Sequence, residues 1–181
     1  MTRRAVSTDA NRIAEIHVSS WRVAYDSIVP ADHLNGLSVA RRETMWKKVI
    51  DESTDPVFVS LEDDYIVGFC HVISSRDEDS DRSAEITAIY VDPSFWRLGH
   101  GQALCAEAIA HAGNESFSDI TLWVISENQQ ARDFYERMGF FDDGGFKSVE
   151  RPGFVLKEVR YRRKTSGGEQ GGDSRPDSVA S

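Results

Sequence analysis

Two glycines flank a histidine, Gly99-His100-Gly101, between an apolar β-branched run at residues 86–91 and a helix-forming run at 102–110. Asp92-Pro93-Ser94 is turn chemistry that closes the first run. A strand, a glycine-spaced loop and a helix start aim several N–H groups at one point. The positive end of the helix dipole lies behind them. Such a junction can hold phosphate, and glycine lets the phosphate oxygens reach the backbone. The candidate cradle is the backbone of Arg97, Leu98, Gly99, His100, Gly101 and Gln102. No Lys-Ser/Thr pair follows the glycines, which excludes a P-loop. Leu104 stands where a dinucleotide fingerprint needs its third glycine, which argues against a nicotinamide-dependent dehydrogenase. A helix entry that merely uses glycine is the plainer alternative.

A second segment carries more chemistry. Residues 128–140 read Asn-Gln-Gln-Ala-Arg-Asp-Phe-Tyr-Glu-Arg-Met-Gly-Phe and follow an apolar run at 120–125. Asn128 suits a helix N-cap, and Gly139 suits the left-handed residue that ends a helix. Ala131, Phe134, Tyr135 and Met138 share one helical face. Tyr135 combines an apolar body with a tip that donates a proton, which suits a general acid and equally a core aromatic. Glu85, at the head of the strand before the glycine loop, is a candidate general base or an exposed strand-end carboxylate. A free alkylamine, with a pKa of about 10, must lose a proton before it attacks. His71 and His100 are weaker candidates, and His100 in its loop can touch phosphate or solvent. Trp21 and Tyr25, four apart, can wall an acceptor pocket or staple the loop toward Pro30. Asp26 beside them can attract a cation or sit solvated in a turn.

Taken together, the two segments resemble the GNAT superfamily of acetyl-CoA-dependent N-acetyltransferases. The glycine loop is similar to that family's pyrophosphate loop, and residues 128–140 match its Asn-x-x-Ala-x-x-Phe-Tyr-x-x-x-Gly-Phe helix. Residues 13–25 look like the family's first helix and 158–161 like its last strand. One departure is Trp96, which stands where the loop usually opens with Gln or Arg and lacks the polar contacts of Gln. The resemblance implies that acetyl-CoA binds at Arg97, Leu98, Gly99, His100, Gly101, Gln102 and Asn128. It also implies that the pantetheine arm pairs with a splayed strand edge at Tyr90 and Val91. A bulge opens the sheet there, and a backbone N–H near Tyr90 polarises the thioester carbonyl. By the same resemblance Tyr135 faces the sulfur, Asn128 contacts the CoA arm, and Glu85 takes the amine proton directly or through water.

The elements that must position these residues follow from periodicity and turn chemistry. Strands are expected at 3–6, 56–61, 65–73, 84–91, 119–125 and 154–161, with 140–141 joining the last. Helices are expected at about 9–20, capped by Thr8 or Asp9, at 38–50, after the glycine loop and after Asn128. This alternation predicts a mixed α/β sheet, mostly antiparallel as in the resembling family, with helices on both faces and a split at the acyl-CoA site. Residues 74–82 read as a charged surface loop. Residues 1–164 form one expected domain, which at this size buries roughly 70% of its unfolded surface. Residues 165–181 are rich in Gly, Ser, Asp and Glu and read as a disordered tail.

The 181 residues carry a net charge of −9, which argues against nucleic acid as partner. No run is long enough to span a membrane, and no signal-peptide core follows the N-terminus. Cys70 and Cys105 read as core thiols, and the five histidines show no metal-ligand spacing. The expected protein is a cytoplasmic acetyltransferase with no metal, acting on a small-molecule or peptide amine; a homodimer is compatible with it. The alternative is a catalytically silent acyl-CoA-binding regulatory or sensor module on the same fold.

Overall fold

The computed structural model describes residues 1–79 and 82–165. Seven strands form one sheet: β1 (Thr2–Arg4), β2 (Val57–Glu62), β3 (Tyr65–Ser74), β4 (Ser83–Val91), β5 (Asp119–Ile125), β6 (Phe141–Arg151) and β7 (Phe154–Lys164). Their order is β1-β2-β3-β4-β5-β7-β6. Only β4 and β5 run parallel, joined by the long helix α4 (His100–Asn114). The other helices are α1 (Ala10–Ala24), α2 (Ala31–Asn35), α3 (Val39–Glu52) and α5 (Gln129–Arg137). The expected mixed, mostly antiparallel fold with helices on both faces is what forms.

The apolar spacing explains each layer. In α1, Ile13, Ala14, Ile16 and His17 turn inward and meet Trp46 of α3 with Val59 and Phe69 of the sheet. On the other face Leu104, Cys105, Ala108 and Ala112 of α4 meet Phe58, Cys70, Val72 and Ile120. Both cysteines are free and buried. Gly68 lets α4 close on β3: a Cβ there would lie 3.0 Å from both Leu104 Cδ1 and the Tyr90 carbonyl. The β2–β3 hairpin turns on Asp63 and Asp64, whose φ of 46° and 65° are those of a type I′ turn.

Several boundaries differ from expectation: β7 runs on to Lys164, and α2 has no expected counterpart. Helix α1 runs on to Ala24, and Asp9 does not cap it; the Asp9 carboxylate turns back to the Val6 N–H (2.8 Å) and to Arg3 (2.6 Å). Strand β1 is Thr2–Arg4 rather than 3–6. β6 extends over eleven residues, beyond the 140–141 expected to join the sheet, and takes in Asp142-Asp143-Gly144-Gly145. Those residues form an irregularity inside the strand, with Gly144 at φ 85° and no room for a Cβ on Gly145, which would lie 2.8 Å from Arg160 Cβ. Thr165, placed in the tail by composition, is buried, with its hydroxyl on the Phe117 carbonyl and its N–H on the Ser118 carbonyl. The ordered domain therefore includes it, and the rest of the expected tail, 166–181, lies outside the described residues. Among the described residues no helix is long and apolar enough to cross a membrane.

Candidate active site

The sheet opens where β4 and β5 part. Their register runs from Ser83↔Asp119 to Ile86↔Leu122 and stops. Just there β3 passes from His71 to Val72 while β4 passes from Ala88 to Ile86, so Thr87 is the extra residue of a bulge. The cleft so formed has a volume of about 720 Å³. It runs between the glycine loop and α5 at one end and Trp21, Glu85, Trp123 and Glu158 at the other.

Ladder parity decides which backbone groups face the split. Asp92 N–H donates to Val67 C=O at 2.8 Å, so Tyr90 is the next hydrogen-bonded pair with Phe69. Tyr90 N–H therefore points to β3, and the N–H groups of its neighbours Ile89 and Val91 point to the open edge. The Val91 carbonyl is already engaged, accepting from Ser20 Oγ (2.9 Å) and Trp96 Nε1 (2.7 Å). The Trp96 indole thereby ties the loop to the strand.

Beyond Trp96 the chain takes left-handed turns at Arg97 (φ 65°) and Gly99 (φ 89°) before α4 begins. Gly99 is the N-cap and no side chain bonds the first turn, so the N–H groups of His100, Gly101 and Gln102 stay open to a ligand. Arg97, Gly99, Gly101 and Gln102 line the cleft; Leu98 is exposed outside it. The His100 side chain does not touch this space. It is buried, with Nδ1 2.9 Å from Ser60 Oγ, and Nε2 lies 3.5 Å from Glu62. The expectation that His100 meets phosphate or solvent is corrected for its imidazole and leaves only its N–H at the loop.

Asn128 caps α5, its Oδ1 accepting from the Ala131 N–H at 3.1 Å, and it also lines the cleft. Tyr135 is buried against Phe134, Phe140 and Tyr161. It reaches the cleft, and its hydroxyl has no hydrogen-bond partner among the described residues. Burial pushes its pKa well above the usual tyrosine value, so the phenol keeps its proton.

Glu85 is not an exposed strand-end carboxylate: it is 4% exposed and paired with Arg76, Oε1 to Nη2 at 2.7 Å and Oε2 to Nε at 3.3 Å. Thr87 Oγ1 lies 2.7 Å from His71 Nδ1. Trp21 and Tyr25 meet edge to face at 4.9 Å on the cleft wall, and Tyr25 Oη is 3.5 Å from Tyr90 Oη. Asp26 is exposed outside the cleft. Trp123, beneath Lys147 at 4.0 Å, forms part of the floor. The Arg76–Glu85 and His71–Thr87 pairs have no sequence motif; each joins separate strands or loops through the register of β3 on β4.

Residues 11–140 match the family model described as the acetyltransferase (GNAT) family. The chain belongs to the GNAT acetyltransferase family. It is 35% identical over 127 residues to the uncharacterized N-acetyltransferase YuaI of Bacillus subtilis, covering 70% of this chain and 72% of that one. It is 26% identical over 140 residues to the uncharacterized N-acetyltransferase Rv2669 of Mycobacterium tuberculosis, covering 76% and 86%. Among solved structures, the GNAT fold here is similar to yncA of Salmonella typhimurium with acetyl-CoA, with TM-score 0.69, 17% identity, and 99% and 98% of the two chains covered. It is similar also to the PaiA N-acetyltransferase of Thermoplasma acidophilum in complex with coenzyme A, with TM-score 0.68, 17% identity and 91% and 98% covered. As a GNAT acyltransferase, the protein carries its family's two motifs on the two helices that face the split.

Proposed function

We propose that this protein transfers the acetyl group of acetyl-CoA to a primary amine, by direct attack and without an acyl-enzyme. The observation that carries the reading is the split between β4 and β5. It lies in front of an open helix N-terminus and beneath an unbonded tyrosine hydroxyl. The first-turn N–H groups of α4 hold the pyrophosphate, assisted by the dipole. The free edge of β4 pairs with the amide arm, and the N–H of Ile89 or Val91 donates to the developing oxyanion. One such donor contributes about 2.7–4 kcal/mol to the barrier.

Tyr135 donates a proton to the departing thiolate. In this buried position a thiolate is poorly solvated and basic, so even a phenol of raised pKa protonates it. The amine enters from the side of Trp21, Tyr25 and Trp123. Glu85, held by Arg76, supplies negative charge for an incoming ammonium group. A cytoplasmic location and a small-molecule or peptide amine as acceptor are part of the same proposal.

The test pairs two measurements. CoA thiol release is followed with acetyl-CoA and a panel of alkylamines, amino acids and peptides. The Tm is followed with CoA alone, where a concentration of 100 Kd stabilises by about 2.7 kcal/mol. Binding with amine-dependent release is expected; binding without release from any amine would leave a silent acyl-CoA sensor instead.

A further inference from the structure

Loss of the amine proton needs an acceptor at the split, and Glu85 has both oxygens on Arg76. We propose that Thr87 and His71 form the proton relay of the acetyltransferase, Thr87 meeting the acceptor nitrogen and His71 taking the proton behind it. This rests on the acetyl-transfer reading above.

Three observations converge on the pair. Thr87 is the bulged residue at the place where β4 leaves β5, so its side chain sits at the mouth of the opening and lines the cleft. Its Oγ1 is 2.7 Å from His71 Nδ1, a short contact for a neutral hydroxyl and imidazole. His71 itself does not line the cleft and stands perpendicular to Trp46 at 5.6 Å, with Nε2 buried and without a hydrogen-bond partner. The imidazole therefore communicates with the cleft through one atom, the threonine oxygen. The bulge is what makes this contact: it leaves Thr87 without a partner in the β3 register, beside His71↔Ala88.

The groups that face His71 are Trp46 of α3, Asp55, and Arg76 with Glu85 across the β3–β4 hairpin. Burial lowers the imidazole pKa below 6.5, with Arg76 acting in the same direction and Asp55 and Glu85 opposing. At neutral pH the ring is neutral and able to accept. In the tautomer protonated on Nε2 the Nδ1 lone pair faces Thr87.

The bound ammonium gives one proton to Thr87 Oγ1 while the Thr87 hydroxyl proton passes to His71 Nδ1, which leaves a neutral amine; His71 releases that proton to solvent back through Thr87 and the cleft. The amine nitrogen then forms its bond to the acetyl carbon, the C–S bond breaks, and the thiolate takes the Tyr135 proton. The second nitrogen proton leaves by the same relay as the tyrosine regains one from solvent. The net reaction is acetyl-CoA and ammonium to acetylamide, CoA thiol and one proton.

The test uses full-length protein and the amine that gives most CoA release. Thr87→Val keeps the shape and removes the hydroxyl; Thr87→Ser restores it. His71→Asn places an oxygen where Nδ1 stood, keeping the hydrogen bond but not the basicity. Val and Asn are expected to lower kcat at least about tenfold at pH 7, within the ~10²–10⁴ range of general base catalysis. The Tm shift with CoA should be unchanged, and Thr87→Ser should recover most of the rate. In wild type the rate falls as pH drops through the His71 ionisation; in both variants it should instead climb with pH, following the free amine. The double variant should be no slower than either single one. Wild-type kcat and pH profile in Thr87→Val or His71→Asn would overturn the relay alone. A wild type that releases no CoA with any amine would overturn the acetyl-transfer reading, and the relay with it.

Discussion

Tyr135 and Glu85 are both buried acidic groups on the cleft, yet their surroundings give them different work. Tyr135 lies among Cys70, Cys105, Phe134 and Phe140, with nothing to accept its proton until a thiolate forms beside it. Tyr135→Phe should lower kcat by about tenfold to a thousandfold, toward the lower part of the general-acid range because thiolate is a tolerable leaving group. Acetyl-CoA affinity should hold, since the ring packing is kept; steady-state kinetics with a CoA titration reads both. Glu85 has a guanidinium at 2.7 Å. If its role is charge rather than proton transfer, Glu85→Gln should raise the amine KM severalfold and leave the shape of the kcat–pH profile as it is. A profile moved to higher pH would return the base role to Glu85.

At the scale of elements, the site is a junction of three ends: the open edge of β4, the start of α4 and the start of α5. Two glycines do different things there. Gly99 adopts φ 89°, which a side-chain-bearing residue resists. Gly101 has room for a Cβ, which would sit 3.6 Å from the Phe134 ring in ordinary contact, with the cleft beyond. Gly101→Ala should therefore fold and bind. Gly101→Glu should fold with little loss, because an acidic residue in a first helical turn suits the dipole. It should abolish the Tm shift with CoA, by filling the cleft and repelling phosphate. Equal shifts in Gly101→Glu and wild type would remove this loop from the phosphate site.

At the scale of the molecule, stability leans on a buried neutral histidine. His17 accepts from Trp46 Nε1 at 3.1 Å, stacks on Tyr90 at 5.2 Å, and is pushed by burial to a pKa of about 3. Between about 3 and 6.5 the unfolded chain binds a proton at this position that the folded chain does not. Stability is then full above 6.5 and falls with pH below it, by up to about 1.4 kcal/mol per unit. The lowered carboxylates Asp9, Asp92, Asp119 and Asp143 add to the loss only below about 4. Tm should be level between about pH 7 and 8 and drop from pH 6.5 to 5, with His71 and His111, whose pKa values burial also lowers, adding to the drop. His17→Asn, which keeps an acceptor for Trp46, should make that drop shallower; an equal slope would exclude His17 as a source of it.

What was legible in the sequence is what local chemistry decides. Gly139 announces a left-handed residue, Asn128 announces a cap, and the apolar spacing of α1, α4 and α5 announces which faces are buried. The two motifs also placed Asn128, Tyr135 and the glycine loop at one cleft, because each lies on an element whose type and end are set by nearby residues. Tertiary structure decided the rest, through pairings of residues far apart in the chain. Glu85 meets Arg76, Thr87 meets His71, Trp96 docks on Val91 and His100 turns to Ser60 because the sheet register brings them together. A one-residue bulge at Thr87 has no local signature. It reverses which side chains and N–H groups of β4 face the cleft, because side chains alternate along a strand with a period of two.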